Sequence, residues 1–181
     1  VMIRRMIAWA LLFVTAAPAV VGGTSGATTE SVRALVQEAR VQARQGHHRQ
    51  AADILDRALT IAPNSEQVLR DYAQNSLAAR DPVGAMNALE PLTRMHPTVA
   101  EYPYLLGVAQ LQVGALELSV ESLQRSLRLE PDRALTLIAL GISLNSQKRF
   151  REAREVLARS LEIEPEEVEA LAALAEAEEG L

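Results

Sequence analysis

Three histidines and a run of carboxylates are the residues of this 181-residue chain whose types could do chemistry. His47 and His48 are adjacent, which invites a metal reading. Neighbours on a turn point apart, however, and no carboxylate or third histidine stands at ligand spacing, so no metal site is expected. His96 precedes Pro97 and reads as a residue near a helix C-terminus, where a partial positive charge suits the helix dipole. Glu166 and Glu167 are adjacent carboxylates at a helix start and read as structural for the same reason. The chain has no cysteine, which excludes thiolate chemistry and disulfides. No glycine-rich phosphate loop, nucleophile elbow or zinc-protease signature occurs. The expectation is a protein without catalytic residues and without a cofactor.

Composition narrows the partners. Basic residues number 18 and acidic residues 23, a net charge of -5 that disfavours nucleic acid. The charge is uneven: Arg33, Arg40, Arg44, Arg49 and Arg57 crowd one region, while Glu162 to Leu181 holds eight Glu and no basic residue. Hydrophobic residues make up 49% and aromatics only 3%, so the interior must be built from Ala, Leu, Val and Ile, which suit close helix packing.

The elements that would position a functional surface are marked by proline. Pro63, Pro97, Pro131 and Pro165 stand 34 residues apart, a period typical of stacked repeats. Other columns keep the same register. Leu55, Leu89, Leu123 and Leu157 form one; Ala51, Ala85, Ser119 and Ala153 a second; Ala39, Ala73, Gly107 and Gly141 a third. Small residues such as Gly107 and Ser119 let the two helices of a unit approach closely, and the leucines are expected to fill the space between one unit and the next. The prolines end each second helix. Asn64, Thr98 and Asp132 are expected to cap the next helix, with Gln67 and Glu101 as capping-box partners. Gly46, Asp81-Pro82 and Gly114 mark the turns within units.

The period, the small-residue columns and the terminal prolines together resemble the tetratricopeptide repeat (TPR) family. The resemblance implies an all-α, right-handed α-solenoid of antiparallel helix pairs. Its units would be 32–65, 66–99, 100–133 and 134–167, followed by 168–181 as a capping helix or a truncated fifth unit. Three positions depart from the pattern. Glu38 stands in the column of Leu106 and Leu140, Pro103 lies early in a helix, and Leu92 replaces a small residue in the column of Ala58, Ser126 and Ser160.

Arg4 and Arg5, the apolar run Met6 to Val14 and the small residues Ala17-Pro18-Ala19 have the order of a secretory signal peptide. Residues 1–19 are expected to be cleaved, or to remain as an anchor over residues 6–21 in the inner membrane; either outcome exports the rest to the periplasm or beyond. As a helix, Met6 to Val21 would span about 24 Å, short of the roughly 30 Å hydrocarbon core. Residues 20–31, with Gly22-Gly23-Thr24-Ser25-Gly26, are expected to be a flexible linker.

In TPR proteins the first helix of each unit lines a concave groove that grips peptides. The resemblance implies a charged half, Arg33, Arg40, Arg44, Arg70, Asp71 and Gln74, and an apolar half, Tyr104, Leu105, Val108, Leu111, Ile138 and Ile142. The third and fourth inner helices are apolar nearly all round and need a cover, either a partner segment or the chain's own later portion or self-association. The paired Lys and Asn with which some TPR proteins hold a terminal carboxylate are replaced by Val36 and Arg40, which argues against a chaperone-tail receptor. The chain therefore reads as an exported scaffold for a protein or peptide partner, with contact to a membrane only through an uncleaved N-terminal segment. The alternative is the repeat segment of a longer exported enzyme whose catalytic domain lies beyond residue 181.

Overall fold

The computed structural model describes residues 24–181, which contain nine α-helices and no strand. In chain order these are α1 (Thr24–Arg44), α2 (His48–Ile61), α3 (Glu66–Ala78), α4 (Pro82–Met95), α5 (Glu101–Gln112), α6 (Leu116–Leu129), α7 (Ala134–Ser146), α8 (Phe150–Ile163) and α9 (Val168–Glu179). Each helix packs on its neighbours in the chain, and of the inner helices α5 also packs on α7 and α7 on α9. The result is an all-α solenoid of four helix pairs followed by a single ninth helix.

The repeat columns form the core. Leu55, Leu89, Leu123 and Leu157 are no more than 1% exposed, and Ala51, Ala85, Ser119 and Ala153 are fully buried. Gly107 and Gly141 show what the third column does. A Cβ on Gly107 would lie 2.6 Å from Leu123 Cγ, and one on Gly141 would lie 2.5 Å from Leu157 Cδ2. Leu123 and Leu157 thus fill the seam inside their own units as well as the expected junction to the next. Leu123 and Leu157 do reach across units, sharing one cluster with Leu140, Leu144 and Ala173.

The departures have local causes. Glu38 is exposed because its column faces the preceding unit, as Leu106 and Leu140 do, and no described unit precedes α1. Pro103 sits in the first turn of α5, where the missing amide has no intrahelical partner to lose. Leu92 is fully buried in the cluster that contains Leu89 and Leu106, so the larger side chain is accommodated in that junction.

Helix entry differs from expectation. The N-caps of α3, α5 and α7 are Ser65, Ala100 and Arg133, none with a side-chain cap bond, so Asn64, Thr98 and Asp132 are not caps. Asn64 and Thr98 lie in tight turns closed by the backbone, Ser65 N–H donating to Ala62 O and Val99 N–H to His96 O. Asp132 instead accepts from Arg159 at 2.5 Å, and Glu101 pairs with Arg133. Asp81 does cap α4, its carboxylate accepting from Gly84 N–H at 3.0 Å. The turns within units share a left-handed residue every 34 positions: Gly46 (φ 80°), Arg80 (φ 56°), Gly114 (φ 76°) and Lys148 (φ 60°).

Residues 24–31 are helical, not linker: α1 begins at Thr24, and Ser31 Oγ donates to Ala27 O at 2.8 Å within it. Thr28, Thr29 and Val32 border a cavity shared with Ile61, Ala62 and Ser65, so the first turns of α1 lie alongside the end of α2. The predicted signal segment, residues 1–19, and the rest of the predicted linker and anchor lie outside the described residues. Among the described residues no helix is long and apolar enough to cross a membrane.

Candidate binding groove

The inner helices α1, α3, α5, α7 and α9 lie side by side, and the groove residues project from them. Between α1 and α3 lies a cavity of about 550 Å³ lined by Gln37, Arg40, Ala43 and Arg44 of α1, His48 of α2, and Asp71, Gln74, Asn75 and Ala78 of α3. Arg40 spans the cavity, its Nη2 3.2 Å and Nε 3.3 Å from Asp71 Oδ2. Arg44 Nε donates to Arg40 O at 3.3 Å, and among the described residues no carboxylate lies within ion-pair distance of its guanidinium. Asn75, 8% exposed, forms part of the floor: its Nδ2 donates to Asp71 O at 2.8 Å and its Oδ1 faces His48 Nδ1 at 3.1 Å. With the amide nitrogen so engaged, the proton of that second bond belongs to His48 Nδ1.

The next gap, between α3 and α5, has the opposite character. A cavity of about 320 Å³ is lined by Ala73 and Leu77 of α3, Leu89 and Leu92 of α4, and Tyr102 and Leu105 of α5, with Arg70 and Gln74 at its polar edge. Leu89 and Leu92 are buried, while Leu77, Tyr102 and Leu105 are half-buried. Gln74 lines both cavities. Arg70 is engaged by Glu66 at 3.4 Å, and Glu66 also lies 3.1 Å from His96 Nε2. Arg33 stands apart from both cavities, bordering a third between α1 and α3 and paired with Glu30 at 3.4 Å.

The second half of the predicted groove is partly closed. Here α5 packs on α7 and α7 on α9, and α7 is buried over most of its surface, as its largely apolar sequence required. Ile138 is 3% exposed and so leaves the candidate surface, a correction to the expected groove lining. Val108 and Ile142 are half-buried against the cluster containing Leu140 and Ala173, and Leu111 is half-buried as well. Tyr104 lies under Arg133, whose guanidinium carbon is 4.5 Å from the ring centroid. Burial holds the Tyr104 phenol above its ordinary range, and the nearby Arg133 charge acts in the opposite sense. Arg133 is itself paired with Glu101 and, at 3.3 Å, with Glu130.

The structure thus brings Arg40, Arg44, Asp71 and Gln74 into one cavity and Arg70, Gln74 and Leu105 into the next. It separates them from Arg33 and from the apolar end. The sequence pattern missed His48 as a groove residue, and it missed Asn75, Leu77 and Tyr102. Asn75 carried a signal, being an amide in a column whose later members, Ala109, Ser143 and Ala177, are small and buried. His47, by contrast, stays outside, within 3.1 Å of Gln42 Oε1. Among the described residues no group of three or more His, Asp or Glu could hold a metal ion.

Paired helices stacked around an inner groove define a helical-repeat fold. The tetratricopeptide repeat model matches residues 42–109, and no curated protein matches. Among solved structures the chain is similar to a crystal structure of MamA, with 22% identity over 84% of this chain and 83% of that one and a TM-score of 0.76. MamA from Desulfovibrio magneticus RS-1 is similar at 23% identity, over 76% of this chain and 77% of that one, with a TM-score of 0.66. The second TPR domain of human RPAP3, solved with an HSP70 peptide, shares 14% identity over 61% of this chain and 92% of its own, with a TM-score of 0.59. Residues 42–109 thus match the tetratricopeptide repeat family, and the described chain has the fold of such repeats.

Proposed function

We propose that this chain is a non-catalytic scaffold that binds a segment of a protein partner in the inner groove of its first three units. The observation that carries this reading is the pair of adjoining cavities between α1, α3 and α5, one polar and one apolar, sharing Gln74. An open groove with a few polar groups beside an apolar floor is the usual form of a peptide site. The RPAP3 domain of similar fold was solved with a peptide bound, which supports a peptide as the ligand class. Arg4-Arg5, the apolar run after them and Ala17-Pro18-Ala19 support export, so the partner is placed outside the cytoplasm, in the periplasm of a bacterium, in envelope assembly or secretion.

Photo-crosslinking tests the reading in cells of the source organism. A crosslinking side chain at position 40, 74 or 105 should give the same adduct of defined mass. The exposed outer positions 53, 87, 121 and 155 should give none. Adducts from the outer positions alone would place the interface on the convex side and overturn the groove. A fusion of residues 1–31 to an enzyme active only after export tests the address separately; an inactive fusion would withdraw it.

A further inference from the structure

We infer that the groove selects an extended peptide carrying an acidic residue and a bulky apolar residue three positions apart, with the acid at Arg44 and the apolar side chain in the cavity between α3 and α5. The inference rests on the groove reading above and names its ligand class.

Charge chooses the first element. Arg33, Arg40 and Arg70 each have a carboxylate partner, at 3.4, 3.2 and 3.4 Å, so their charge is already answered. Arg44 is the groove arginine with no such partner among the described residues, and with Arg40 offset by Asp71 the polar cavity carries one net positive charge. A single carboxylate completes that cavity, where the Nη donors of Arg44 are free to form charge-assisted bonds. Gln37 and Gln74 supply amide donors beside it.

Shape chooses the second. The neighbouring cavity, about 320 Å³ with a floor of Leu89 and Leu92, offers a leucine or phenylalanine side chain an apolar lining, and Arg70 there is already held by Glu66. Its volume is that of a small pocket, suited to one side chain and not to a domain surface.

Spacing follows from the helices. Adjacent gaps between packed helices repeat at about 10 Å. A polyproline-type extended chain rises about 3.1 Å per residue and turns once in three, so residues i and i+3 point the same way about 9.3 Å apart. A β-strand would send i and i+3 to opposite faces, and a helix would need i and i+7. The extended chain with spacing of three also leaves its backbone polar groups open to the amides of Gln37 and Gln74.

The test measures fluorescence anisotropy of the purified full chain with blocked decapeptides. They carry Glu and Leu at separations of one, three or seven, in both orders, with Lys for Glu and Ala for Leu as controls. Separation of three in one order should bind roughly tenfold or more tighter than the rest, the scale of one charge-assisted bond. Arg44→Glu, a change at an exposed side chain, should reverse the preference from Glu to Lys while the helical spectrum is unchanged. Equal binding at all separations, tighter binding at seven, retention of the Glu preference in the variant, or no binding by any peptide would each overturn the inference. Crosslinks from positions 40, 74 and 105 alongside peptides that ignore spacing would discard the pattern and keep the groove; absence of both would discard the two together. Concentration-dependent self-association lost on Arg44→Glu, with no peptide bound, would instead assign the groove to the acidic end of a second copy and overturn the peptide assignment.

Discussion

At the scale of single residues, the fold depends on side chains that are absent. Gly141 lets Leu157 sit against the backbone of α7, and a methyl group added there would meet the leucine at 2.5 Å. Gly141→Ala should therefore destabilise by about 1 to 3 kcal/mol through overpacking. Leu157→Ala alone should cost about 2 to 5 kcal/mol, since it empties a fully buried position. Because the two side chains compete for one space, the double variant should cost less than the sum, a coupling that denaturant melts of all four proteins would measure. Strict additivity would mean the glycine column is not a contact column. The turn column makes a second prediction. Gly114 has φ 76° with nothing near its missing Cβ, so Gly114→Ala should cost about 1 kcal/mol from backbone strain alone. Much of this was legible in the sequence, since the proline, leucine and small-residue columns are periodic. The left-handed positions of Arg80 and Lys148 were not, because neither residue type signals a positive φ.

Among the elements, α9 carries the clearest consequence of the repeat. Its columns continue those of α7, yet no second helix follows it among the described residues. Of Ala170, Leu174 and Ala177, which a missing second helix would leave partly exposed, Ala170 and Ala177 are fully buried and only Leu174 is half-buried. The open face is instead Val168, 74% exposed, and Leu171, 48% exposed, with Ala175 beyond them. In a complete unit that face meets its own second helix: Leu137, one repeat earlier than Leu171, is 1% exposed. Leu137→Ala should thus cost about 2 to 5 kcal/mol, while Leu171→Ala, mostly in water already, should cost less than about 1. Equal losses would mean that something covers α9 in solution. Gly180 does not continue the turn column, as its φ is -83°; it lies instead against the Phe150 ring, where a Cβ would come within 2.5 Å. The sequence could not show this, because the register of a turn is set by the helix that follows it.

Across the whole molecule, the groove is divided by how closely its inner helices approach. Sequence placed the apolar half in the third and fourth units and asked what covers it; in the structure Ile138 is core, while Tyr104, Val108, Leu111 and Ile142 stay half-buried. What remains open is the stretch from α1 to α5, whose apolar cavity draws on Leu89 and Leu92 of a second helix that pattern alone would assign wholly to the interior. The charge asymmetry was legible, but its pairing was not: Asp71 and Glu66 engage arginines that alignment by column leaves unmatched. The absence of cysteine allows a direct measurement of this division. Single-cysteine variants at Arg44, Gln74 and Leu105 on the open half, and at Ile138 on the partly closed half, would be labelled with a maleimide under native conditions. The account requires fast labelling at 44 and 74, intermediate labelling at 105, and labelling at 138 only as fast as the protein locally unfolds. Rapid labelling at 138 with protection at 44 and 74 would contradict it.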